Sequence, residues 1–122
     1  MSDTFPDEAR HSEEAYEAIR QVGDGQTSSL PAPWAYDVIG NLMNASLQLP
    51  RAFKHLSNGL AISLTQFEMV EEDGADPLKR NAAARAHLAQ AGELAKQLAA
   101  ELEAAQSAIS QQVYARPRRM RP

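Results

Sequence analysis

The sequence predicts an all-α protein: an elongated helical hairpin with a three-helix core and one long C-terminal helix, dimerising into a helical bundle. Three observations carry this. The run from Pro77 to Val113 has no proline after its first residue and one glycine, Gly92. Its apolar positions Ala84, Leu88, Ala91, Ala95, Leu98, Leu102, Ala105 and Ile109 alternate steps of three and four, which places them on one continuous helical seam. Two shorter amphipathic segments before it, 33–48 and 50–72, together cover about 55 Å at helical rise, the length of the third. A pair of helices folding back on one long helix is therefore the economical arrangement.

The first element is a helix over 5–22, capped by Thr4, with Pro6 in its first turn and Asp7 and Glu8 at the positive end of its dipole. Its apolar face is thin: Ala9, Tyr16, Ile19 and Val22. Gly23-Asp24-Gly25 ends it, and a Ser/Thr/Pro-containing linker leads to Pro31. The second element places Trp34, Val38, Ile39, Leu42, Met43 and Leu47 on one side and is broken at Leu49-Pro50, because proline disfavours helical backbone in the residue before it. The third carries Phe53, Leu56, Leu60, Leu64, Phe67 and Val70 to about Glu72. Gly74-Ala75-Asp76-Pro77 makes a tight connection, with Asp76 as the cap of the long helix and Pro77 in its first turn.

Twelve of the 27 residues from Ala82 to Ala108 are alanine, which favours helix and lets backbones approach closely. Leu78, Leu94 and Val113 lie beside the main seam, giving the long helix a second sticky side that suits a second chain. A symmetric homodimer is the default assembly. The organisation follows as an acidic helical arm and linker (1–30), a helical core domain (31–115) and a basic tail (116–122).

Composition limits the function classes. The chain has no cysteine, which excludes disulfides, thiolate metal sites and cysteine nucleophiles and fits a reducing cytoplasm. No stretch has the roughly 18–20 apolar residues of a membrane span, and the first residues lack the basic start and apolar run of a signal peptide. The expected location is cytoplasmic, with no membrane partner. The net charge of −4 is unevenly placed: seven acidic residues against two arginines lie between Asp3 and Asp24, whereas the last seven residues carry four arginines and no acid.

No catalytic constellation emerges. Gly-x-Ser-x-Gly, Gly-x-Gly-x-x-Gly and the phosphate-loop pattern are all missing, so neither a hydrolase nor nucleotide binding by those routes is supported, and no cofactor is expected. Glu8-Ala9-Arg10-His11 has the Glu-x-x-His spacing of di-iron bundles but lacks a second copy, and reads as a solvated charged face, not a metal site. The acidic cluster Glu68, Glu71, Glu72, Asp73 and Asp76 lacks the ligand spacing of a calcium loop and reads as a solvated turn.

The expectation is a non-enzymatic, homo-oligomeric interaction or regulatory protein. Trp34 and Tyr36, at a helix start beside a linker, are the candidate partner-binding residues. Phe53 and Phe67 share the apolar stripe and are expected in the core. The alternative is a nucleic-acid-associated protein whose Arg116, Arg118, Arg119 and Arg121 contact phosphates or an acidic partner.

Overall fold

A computed structural model of the protein describes residues 6–113 and 115–118. Among them are three α-helices, α1 (Asp7–Gly23), α2 (Ala32–Gln66) and α3 (Pro77–Ala108), and no strand. The chain forms two compact units, Met1–Leu30 and Pro31–Pro122.

In the first unit, Pro6 occupies the cap position of α1 without a side-chain hydrogen bond, and Thr4 lies outside the described residues. Asp7 and Glu8 stand in the first turn and Arg20 in the last, each sign matched to the dipole. Arg20 donates to Glu17 at 2.9 Å and to Asp24 at 3.0 Å, which ties the final turn to its cap. No residue of α1 is buried.

The second unit is a hairpin in which α2 packs along α3. Four contacts set the register. The Asn81 amide donates to the Leu60 carbonyl (3.1 Å), Arg85 Nε to Ser57 Oγ (3.0 Å), and Gln106 Nε2 to the Tyr36 carbonyl (3.1 Å). At the middle, a Cβ built on Gly92 would stand 3.6 Å from Pro50 Cα. In every pair the two residue numbers add to 141 or 142, so the helices run antiparallel without slipping.

The inner face of α2 follows Ile39, Met43, Ser46, Pro50, Phe53, Ser57, Leu60 and Leu64, in alternating steps of four and three. That of α3 follows Asn81, Leu88, Gly92, Ala95, Ala99, Leu102, Gln106 and Ile109. The centre is built from small residues: Ser46, Ala95 and Ala99 are 5%, 4% and 3% exposed, and Gly40 and Gly92 are buried. Leu88, Ala95, Leu102 and Ile109 of the seam expected on α3 face inward, while the positions between them shift by one, Gly92 standing in for Ala91. Ala99 and Gln106 turn inward, while Leu98 and Ala105 are exposed.

Three boundaries differ from expectation. The helix does not stop at Pro50, and α2 continues through it. An interior proline removes the bond its N–H would give to the Ser46 carbonyl and costs about 3 kcal/mol or more. The helix persists because both halves of α2 pack on α3, with Pro50 seated where Gly92 has no side chain. The second boundary is the end of α2 at Gln66, not near Glu72. Phe67 is extended and 63% exposed, not a core residue. At this register Gln66 is level with the first turn of α3, so further turns would have no partner, and the acidic cluster would oppose the helix dipole. The third is the end of α3 at Ala108, not Val113, where α2 begins alongside.

The connection 67–76 holds Gly74 at φ 80°, the one backbone position among the described residues in the left-handed region. Asp76 caps α3, its carboxylate accepting from the Leu78 N–H at 3.0 Å, with Pro77 in the first turn. Asp73 accepts from the Ala75 N–H (3.1 Å) and from Arg80 (2.6 Å). These bonds, the backbone one foremost, hold its carboxyl below the usual carboxylate range.

Candidate interaction surface

The inner seam leaves two flanks along the hairpin. In an antiparallel pair, positions following one edge of the seam on α2 share a side with the equivalent edge of α3. The first flank carries Lys54 of α2 with Ala89 and Lys96 of α3, and between them an open groove of about 410 Å³, walled also by Arg51, Phe53 and Glu93. Lys96 is paired with Glu93 at 3.1 Å. This flank is mixed, its charged groups Arg51, Lys54, Glu93 and Lys96 standing among Phe53, Leu88 and exposed Leu47.

The opposite flank is apolar on α2 and, apart from His87 and Glu101, on α3. On α2, Val38, Leu42, Ala45, Leu49, Ala52, Leu56 and Gly59 form a second row with steps of four and three, set about 100° around the helix from the first. On α3 the matching row is Ala84, His87, Ala91, Leu94, Leu98, Glu101 and Ala105. Leu49, Leu56, Leu94 and Leu98 are 37%, 46%, 53% and 48% exposed. None of these residues lines the groove on the other flank.

The expected site residues are dispersed. Trp34 is 62% exposed in the first turn of α2. Tyr36, two residues on, is partly exposed, and its carbonyl carries the last polar cross-link of the seam. Arg116 and Arg118 are exposed beyond α3, and Arg119 and Arg121 lie outside the described residues. His11 stands 3.8 Å from Glu14 on α1. Among the described residues no group of three or more His, Asp or Glu side chains could hold a metal ion, and no helix is long and apolar enough to cross a membrane.

Sequence reasoning missed the leucine row 42, 49, 56. Its signal is a repeat of seven, masked by the adjacent stripe, which also accommodates Leu42 and Leu56. Comparison with protein-family models, with curated proteins and with solved structures gives no match for this chain.

Proposed function

We propose that this is a non-enzymatic, homo-oligomeric helical interaction protein, which works by presenting the outer apolar flank of its hairpin to other helices. The observation that carries this reading is the concentration of half-exposed leucines on one flank, Leu49, Leu56, Leu94 and Leu98, where the grooved flank has Leu47 among Arg51, Lys54, Glu93 and Lys96. Among the described residues the hairpin fully buries no large side chain; the larger seam residues, such as Phe53, Leu60 and Leu88, are only half-buried, so two helices alone gain little apolar burial. Covering the leucine flank supplies what the seam does not. The absence of cysteine suits a reducing compartment, and the cytoplasm is the location we assign.

Solution mass by light scattering behind size exclusion, over a range of protein concentrations, tests the reading. A mass of two or more chains supports it; a single-chain mass at every concentration overturns it. A second reading rests on the exposed Arg116 and Arg118: salt-sensitive nucleic-acid binding that disappears when 116–122 are deleted.

A further inference from the structure

Resting on that homo-oligomeric reading, we infer that the occupant of the apolar flank is a second copy of this chain, related by a two-fold axis that crosses both helices near Leu49 and Leu94. The flank spans Val38 to Gly59, about 32 Å of helix, and is two helices wide at about 8–10 Å each. That gives roughly 600 Å² per chain, or about 1,200 Å² for a pair, which reaches the lower end of specific protein interfaces.

The rows are self-complementary about one level. On α2, Leu42 and Leu56 are equally spaced on either side of Leu49, and Ala45 and Ala52 nearly so. Antiparallel contact with its own copy sets Leu42 on Leu56 and alanine on alanine. On α3, His87 and Glu101 are equidistant from Leu94, both exposed. The same operation brings each histidine to a glutamate of the other chain, large Leu98 to small Ala91, and Ala84 to Ala105. The two centres rest on different side chains, the leucines of α2 and the pair His87 and Glu101 of α3. Within the hairpin, the register places Leu49 level with residue 93, one residue from Leu94.

A single axis perpendicular to the helices thus satisfies both rows, giving an antiparallel four-helix bundle with the two 67–76 connections at opposite ends. The other face-to-face choice, an axis along the helices, would lay Leu42 on Glu101 and Leu56 near His87, burying each charged or polar group against a leucine without a partner.

The native chain has no cysteine, so single-cysteine variants report the geometry directly. Leu49→Cys and Leu94→Cys each place their own copy across the axis and are expected to give predominantly disulfide-linked dimers on mild oxidation. Ala89→Cys, on the grooved flank, is expected to give few. In the cysteine-free chain, Glu101→Lys is expected to raise the dimer dissociation constant about fivefold, and adding His87→Glu to restore it. A dimeric mass with Leu49→Cys and Leu94→Cys cross-linking no better than Ala89→Cys overturns this geometry and leaves the homo-oligomeric reading standing. A monomeric mass for the unmodified chain overturns both. Circular dichroism of each variant separates loss of helix from loss of contact, and the two cysteine sites are independent, so failure of one to fold leaves the other to decide.

Discussion

The inner seam of the hairpin and its outer apolar flank differ in what they place at mid-length. The seam buries serine, glycine and alanine there, beside half-buried Pro50, Phe53 and Leu88; the flank sets half-exposed leucines between alanines. Small residues bring two backbones close and fix a register, but they remove little apolar surface from water. Leucines remove much, provided something covers them. The hairpin therefore obtains its geometry from one side of each helix and leaves its strongest adhesive on another.

That contrast can be broken most severely by charge. Leu94→Glu on the flank is expected to reduce the light-scattering mass to that of a single chain, whereas Ala89→Glu on the grooved flank leaves the mass unchanged. Next in size is overpacking of the seam. Ala99→Leu forces three extra carbons into a position 3% exposed and is expected to cost about 1–3 kcal/mol in urea unfolding. Leu98→Ala, one residue along on the flank, removes the same three carbons from a half-exposed site. In a Leu94→Glu background, where association is removed, it is expected to cost less than Ala99→Leu.

Smaller effects belong to the cap of α3 and to the helical glycine at the seam's middle. Asp76→Ala deletes the cap that accepts from the Leu78 N–H and is expected to cost about 1 kcal/mol. Gly92→Ala goes the other way. The added Cβ meets Pro50 at ordinary contact distance, 3.6 Å, so removing the helical glycine is expected to stabilise the hairpin by about 0.5–1 kcal/mol.

The smallest effect belongs to the connection. Asp73 has its carboxyl held below the usual range by the Ala75 N–H and Arg80. A group whose folded value is depressed contributes above its unfolded value near 3.8 and loses that contribution as pH falls through the folded value. The difference in urea midpoint between the native chain and Asp73→Asn is therefore expected to be small at pH 7 and to vanish toward pH 2.

Most of the architecture was legible in the residues themselves. Helix type followed from local spacing, the alanine-rich run was helical as its propensity demands, and Asp76 and Pro77 wrote the start of the last helix. These are decisions of a few neighbouring residues, so the sequence states them directly. What it could not state was which of two adjacent stripes turns inward. On α3 the rows through Leu98 and through Ala99 are 100° apart and both apolar, and only the partner chosen by the polar cross-links at Leu60, Ser57 and Tyr36 selects Ala99.

The same holds for the helix boundaries. Pro50 carries a local signal to stop, worth about 3 kcal/mol. The 35-residue α2 overrides it because its two halves share one antiparallel partner. Phe67 to Glu72 carry a local signal to continue, which fails where that partner's first turn is reached. The sequence by itself determined the helical class, the capped connection and the heptad spacing, since each depends on interactions a few residues apart. The uninterrupted α2, the inward turn of Ala99 and the exposure of the leucine flank were decided by tertiary packing, because each depends on which residue of a distant helix stands opposite.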